Sequence, residues 1–280
     1  MYFHYQVKIF ELFNVVFFCL SLEFKYNKWK DQAITVAGGN EEGQEIYQLS
    51  NPQGIFIDDD ETIFIADFNN HRILEWKCNA PFGNIIAGGN GRGSQIDQLC
   101  CPTDIIVDKE NHSFIIADFN NQRNEVRRWK LGGKVGTMVA GGNGQGNKLD
   151  QLNFPTFIFV DDEQSIYISD RDNHRVIKWR KYAKEGVIVA GGNGEGNGLN
   201  QLSSPEGLFV NQWNEVFVAD YGNNRIMVWC ENNTEGLIIA EGNESNQLNG
   251  PTGLSFDSDG NLYVADYKNH RIQKYETLLD

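Results

Sequence analysis

The stretch Leu262-Tyr263-Val264-Ala265-Asp266-Tyr267-Lys268-Asn269-His270-Arg271-Ile272 is an apolar run that stops on an acid, with an Asn three residues and an Arg five residues beyond it. The same order occurs upstream. Ile63-Phe64-Ile65-Ala66-Asp67 leads to Asn70 and Arg72. The sets Asp118/Asn121/Arg123, Asp170/Asn173/Arg175, Asp220/Asn223/Arg225 and Asp266/Asn269/Arg271 bring the copies to five. An aromatic closes each unit, at Trp76, Trp129, Trp179, Trp229 and Tyr275. A short β-branched or aromatic run, a polar turn and a second apolar run read as strand, turn, strand.

Upstream of these runs, Ala37-Gly38-Gly39-Asn40 returns with its Ala at 87, 140 and 190, and in altered form as Ala240-Glu241-Gly242-Asn243. Steps of 50, 53, 50 and 50 residues separate the copies. Gln-Leu follows each time (Leu49, Leu99, Leu152, Leu202, Leu248), then a proline (Pro52, Pro102, Pro155, Pro205, Pro251). In the first unit strands are expected over residues 54–58, 62–66, 72–77 and 84–87, and no unit sustains the 3.6-residue apolar period of a helix. Short strands repeated at a period near 50 residues describe an all-β propeller. The expectation is five four-stranded blades over residues 31–280. The last unit stops after three strands, and Ile34-Thr35-Val36-Ala37-Gly38-Gly39 supplies the missing fourth, closing the ring from the N-terminal side.

One unit is out of step. The acid and the closing aromatic are 9 residues apart in four units but 11 apart from Asp118 to Trp129. Either a sixth unit was lost across residues 122–129, or a local bulge absorbs two residues.

The Tyr263-Val264-Ala265-Asp266 run with Asn269-His270-Arg271-Ile272, and Ile168-Ser169-Asp170 with Asn173-His174-Arg175-Val176, resemble the NHL repeat. The resemblance extends over residues 31–280. Kelch propellers share the period and a Gly doublet, but here the doublet precedes the proline loop. NHL propellers commonly have six blades, so the resemblance keeps a six-bladed ring as the alternative. It implies no single function, because the family includes ubiquitin-ligase adaptors, RNA-binding domains, receptor sensor domains and the peptidyl-hydroxyglycine lyase of C-terminal amidation.

Composition narrows these classes. With 24 Lys and Arg against 38 Asp and Glu, the net charge of −14 repels a phosphate backbone, so no nucleic-acid partner is expected. The five Cys show no C-x-x-C pair, so the RING of the ligase adaptors has no counterpart. Adjacent Cys100 and Cys101 suit neither a disulfide framework nor a metal site, and a Cys78–Cys230 pair stays open.

A catalytic constellation breaks symmetry, whereas the Asp, Asn and Arg sets repeat at one turn in all five units. They read as a structural motif in which the acid binds turn N–H groups and the arginine. The closing aromatics read as blade packing. His71, His174 and His270 share one place in three units, and a three-His metal site like that of the amidating lyase is the sharper reading. Gln122 and Asn224 take that place in the other units, as a turn position would allow, so no metal or cofactor is expected. The Gly-rich loops at 89–94, 142–147 and 192–197 open no helix and read as connections rather than phosphate cradles.

Loops before the first strand and turns after the second are expected on one face, which gathers Phe68, Phe119, Arg171, Tyr221 and Tyr267. Varied tips on a regular scaffold suit a binding surface. The expected function is a non-catalytic scaffold for a protein or peptide ligand. The alternatives are a metal-dependent peptidyl-α-hydroxyglycine amidating lyase-like enzyme and a substrate-recognition part related to NHL ligase adaptors without the RING.

Residues 1–30 form a separate apolar N-terminal segment. Lys8 precedes the mostly apolar residues 9–22, with Cys19 and Ser21 as small residues, which resembles a secretory signal and is short for a membrane span. A remnant strand or a mis-assigned start is the other reading. A secreted protein is thus slightly favoured over a cytoplasmic one. The sequons at Asn111, Asn232 and Asn243 are no more than chance supplies.

Overall fold

The computed structural model describes residues 37–38, 41–58, 60, 62–108, 111–119, 124–241, 247–256, 260–269 and 271–275. The N-terminal segment 1–30 and Ile34, Thr35 and Val36 of the expected closing strand lie outside the described residues.

Each unit folds as an antiparallel meander, because turns follow its strands too closely for any crossover. Blade 1 is β1 (Pro52–Ile57), β2 (Ile63–Asp67), β3 (Arg72–Trp76) and β4 (Asn84–Gly88). Blade 2 is β5 (Pro102–Asp108), β6 (Ser113–Asp118), β7 (Glu125–Lys130) and β8 (Gly136–Gly141). Blade 3 is β9 (Pro155–Val160), β10 (Ile166–Asp170), β11 (Arg175–Trp179) and β12 (Val187–Gly191). Blade 4 is β13 (Pro205–Val210), β14 (Val216–Asp220), β15 (Arg225–Trp229) and β16 (Leu237–Ala240). Blade 5 is β17 (Pro251–Phe256), β18 (Leu262–Asp266) and β19 (Arg271–Tyr275). The protein is an all-β propeller of five blades.

The first strands of successive blades lie side by side, β1 against β5, β5 against β9, β9 against β13 and β13 against β17. The core therefore lies between blades rather than within one. Phe64, Ala66, Ile73, Ala87 and Leu99 pack against Ile105, Phe114, Ile116 and Trp129 of blade 2. Tyr167, Val176, Ala190 and Leu202 meet Val210, Val218, Met227 and Trp229 in the same way. The Gln-Leu leucine and the Ala of Ala-Gly-Gly thus belong to the joint with the following blade. Ala37 packs on blade 1 beside Ile65, Leu74 and Trp76, the place that Ala87 and Ala190 hold on the blades after theirs.

The irregular unit resolves into a longer turn. Asp67, Asp170, Asp220 and Asp266 each pair with the Arg five residues on, whereas Asp118 pairs with Glu125. No register break interrupts β6 and β7, so the two extra residues sit in the connection and not in a bulge within the paired strands.

Where the doublet is kept, its first glycine meets a backbone requirement. Gly191 has φ +65°, and a Cβ there would come within 2.6 Å of the His174 carbonyl oxygen. Only glycine turns the chain out of β12 at that spacing.

Candidate functional site

The repeated Asp, Asn and Arg bind the loop that enters their own blade. In blade 3, Asp170 Oδ1 accepts the Asn153 N–H at 2.6 Å, and Oδ2 accepts Asn173 Nδ2 at 2.8 Å and Arg175 Nε at 2.6 Å. Arg175 then donates to the carbonyls of Asn147, Lys148 and Gln151 at 2.8–2.9 Å. Blades 1 and 4 repeat this clamp with Asp67, Asn70 and Arg72 and with Asp220, Asn223 and Arg225. Asp266, Asn269 and Arg271 repeat it in blade 5. The clamp brings the turn after each second strand against the loop before the first strand, as the expected loop face requires.

Blade 2 uses other residues. Asp118 Oδ1 accepts the Cys100 N–H at 2.7 Å, but Arg127 makes the loop bonds, to the Ser94, Gln95 and Gln98 carbonyls. Its partner is Glu125, whose Oε1 accepts Arg127 Nε at 2.7 Å. Asn121 and Arg123, the residues that spacing assigns to this clamp, lie outside the described residues. Arg127 escaped the sequence reading because the longer turn shifts the clamp two strand positions onward. The alternation of side chains still keeps it on the loop side.

Burial pushes the Asp170 carboxyl up to about 6 against the pull of Arg175 and the Asn153 N–H. In the more open blade 5, burial of Asp266 is outweighed by the Asn249 N–H and Arg271, and its carboxyl titrates below its ordinary value.

The residue just before the third strand of blades 1 to 4 is a latch between blades; in blade 2 this is Asn124, whereas Gln122, which the spacing placed there, lies outside the described residues. His71, Asn124, His174 and Asn224 all adopt left-handed backbone, with φ between 47° and 56°. Each accepts an N–H from the next blade's entry loop. His71 Nδ1 takes it from Cys101 at 3.1 Å, Asn124 Oδ1 from Phe154 at 2.8 Å, His174 Nδ1 from Ser204 at 3.1 Å and Asn224 Oδ1 from Gly250 at 2.7 Å. Both His Nδ1 and Asn Oδ1 place an acceptor at similar reach, which explains the exchange between residue types. His71 and His174 sit at separate joints, and His270 lies outside the described residues.

On the loop face most of the expected binding residues form one arc. The Phe68 and Phe119 rings stack at 6.2 Å, Phe119 lies against Phe154, and the Arg171 guanidinium sits 4.8 Å over Phe154 and 5.9 Å from Tyr221. Lys268 Nζ lies 4.6 Å over the other part of the arc, the Tyr221 ring. Tyr267 stands beside it in sequence, 61% exposed. Arg171 also faces Glu206 at 3.1 Å, whose carboxyl burial pushes up to about 7 although Arg171 pulls it down. Phe154 was not anticipated. It holds left-handed backbone at φ +61°, which for a bulky residue costs about 1–3 kcal/mol and is tolerated where the surroundings impose it.

Among the described residues, one cluster of three potential metal ligands occurs: His71, Cys100 and Cys101, with their ligating atoms within 4.8 Å of one another. Burial and the neighbouring Cys100 push the Cys101 thiol up to about 12, and burial, then Arg92, pull His71 below its ordinary value. No disulfide joins Cys78 and Cys230, so the pairing left open between them is not formed. Among the described residues no helix is long and apolar enough to cross a membrane.

A propeller built from clamped and latched repeats defines a repeat scaffold with a loop-borne face. The NHL-repeat family model matches residues 49–76 and 248–275, in the first and last blades, and supports the resemblance of these units to NHL repeats. No curated protein sequence matches it. Among solved structures it is similar to a chain of a nidogen/laminin complex, with 18% identity and a TM-score of 0.61, covering 82% of this chain and 77% of that one. It is also similar to an auxiliary nutrient binding protein from Bacteroides ovatus, at 14% identity and TM-score 0.59, covering 83% of this chain and 60% of that one. A streptogramin B lyase gives 16% identity and TM-score 0.51, covering 77% of this chain and 62% of that one. At such identities the shared property is the fold.

Proposed function

We propose that this propeller is a non-catalytic scaffold that binds a protein or peptide across its loop face. The observation that carries the reading is the arc from Phe68 through Phe119, Phe154 and Arg171 to Tyr221 and Lys268, which crosses five blades. Repetition accounts for the clamps, the latches and an aromatic after the acid in four of the five units, but it does not account for Phe154, Arg171 and Lys268, which stand where the units differ. Rigid aromatics with an arginine among them are the residue types that dominate binding energy at protein interfaces. The fold is compatible with such a role, since a nidogen/laminin complex and a nutrient binding protein contain similar chains.

The test is selection of peptides from a random display library on the full chain, followed by affinity measurement with Arg171→Ala and Tyr221→Ala. Loss of about tenfold or more in affinity, with an unchanged Tm, supports the loop face. Tyr182, in the turn at the other end of β11, is 93% exposed and serves as control. Peptides that ignore both arc variants but are lost on Tyr182→Ala place the binding surface elsewhere.

A further inference from the structure

We propose that His71, Cys100 and Cys101 form a binding site for a soft metal ion, of the Zn2+ or Cu+ class, at the joint between blades 1 and 2. The scaffold is repeated here but the chemistry is not. The position of Cys100 is held by Ser50, Asn153, Ser203 and Asn249 in the other units, and that of Cys101 by Asn51, Phe154, Ser204 and Gly250. Thiols at both positions beside a latch histidine occur only at this joint.

Backbone geometry makes the adjacent pair usable. In extended chain successive side chains point to opposite faces. Cys101 has φ +60°, which breaks the alternation and leaves both sulfurs on the side of His71. Cys101 Sγ lies 3.7 Å from His71 Nδ1, whose one lone pair passes from the Cys101 N–H to the ion on binding, so that the latch bond of this joint is exchanged for the metal. Ligand atoms sharing one tetrahedral zinc ion are about 3.3–3.8 Å apart, so the set needs contraction by about 1 Å at most. Two thiolates and an imidazole select soft or borderline ions. A disulfide within the pair is disfavoured, because neighbouring Cα atoms are about 3.8 Å apart and ordinary disulfides need about 4.4 Å or more.

Both cysteines are buried, and the imidazole forms the more open side. Three protein ligands leave a fourth position for water or a ligand atom. On binding, each thiol loses its proton to solvent and the ring stays neutral, so two protons are released per ion. Arg92, which is exposed, donates to Cys100 Sγ at 3.1 Å. The same loop position carries Glu42 and Glu195 in blades 1 and 4, bonded to Ser50 and Ser203. Arg92→Glu is therefore a substitution the repeat already accommodates, and it replaces a positive charge beside the site with a negative one.

The experiment is titration of the full chain, reduced and metal-free, with Co2+ as the optical probe. The expected result is one ion per chain with cobalt–thiolate charge-transfer absorption, displaced by Zn2+. Cys100→Ser and Cys101→Ser each abolish the absorption, His71→Asn weakens affinity by more than about tenfold, and Arg92→Glu strengthens it. Serine and asparagine occupy these positions in other blades, so the metal-free variants keep their Tm. The variant in which Cys19, Cys78 and Cys230 are all Ser retains the signal. Absence of thiolate absorption in the wild type overturns the site, as does absorption that survives both Cys100→Ser and Cys101→Ser.

Discussion

Blades 2 and 3 carry the same architecture with different chemistry at the corner. Blade 3 anchors its entry loop with Asp170, Asn173 and Arg175, five residues from first to last. Blade 2 does so with Glu125 and Arg127 from within β7, after a turn two residues longer. What the ring requires is a guanidinium donating to the loop carbonyls and a carboxylate holding it. The residue numbers that supply them can slide along the strand. The comparison also shows where the chain departs from repetition without such compensation, at the thiols of blade 2 and the Phe154–Arg171 contact of blade 3.

The largest effect expected from this comparison is on the two clamp arginines. Arg127→Ala and Arg175→Ala each strand a buried carboxylate and should cost about 3–5 kcal/mol in denaturant unfolding. Arg123→Ala should cost under about 1 kcal/mol. A large loss from Arg123 with none from Arg127 would restore the assignment by spacing.

A second difference lies at Asp104, whose place is taken by Gly54, Phe157, Gly207 and Gly253 in the other blades. Asp104 accepts N–H groups from Ile105 and Ile158, and burial raises its carboxyl to about 7. Between about pH 4 and 7 the native state holds a proton that the unfolded chain has shed. This contribution is complete below about pH 4 and is lost progressively as pH rises from there through about 7, on the order of 4 kcal/mol in all. Tm measured from pH 5 to 8 should fall less steeply in Asp104→Asn than in wild type, and equal slopes would refute the assignment.

The closing tryptophans give a smaller contrast. Trp179 Nε1 donates to the Ala183 carbonyl at 3.0 Å, whereas buried Trp129 Nε1 has no hydrogen-bond partner among the described residues. Trp179→Phe should therefore lose about 1 kcal/mol more than Trp129→Phe in paired unfolding curves. Smallest is the latch. His174→Asn should change Tm by a degree or two at most, and His174→Ala should cost about 0.5–1.5 kcal/mol, because only the former keeps an acceptor for the Ser204 N–H.

The period, the antiparallel four-stranded blade, the blade count and the clamps of four blades could be read from the chain, because each depends on local pattern: apolar alternation, turn residues and an acid–arginine spacing repeated in register. The expected loop-face residues Phe68, Phe119, Arg171 and Tyr221 could be named for the same reason, since equivalent turns of a propeller open on one face. That they touch one another, with Phe154 and Lys268 between and beside them, depends on the rotation from blade to blade, which no spacing encodes. Arg127 was hidden by a change in turn length. The meeting of His71 with Cys100 and Cys101 was hidden by the joint between two blades, across 29 residues of chain. Local backbone preference and burial periodicity decide the elements, whereas contacts between blades arise only when the ring packs its apolar faces and brings distant loops to the same corner.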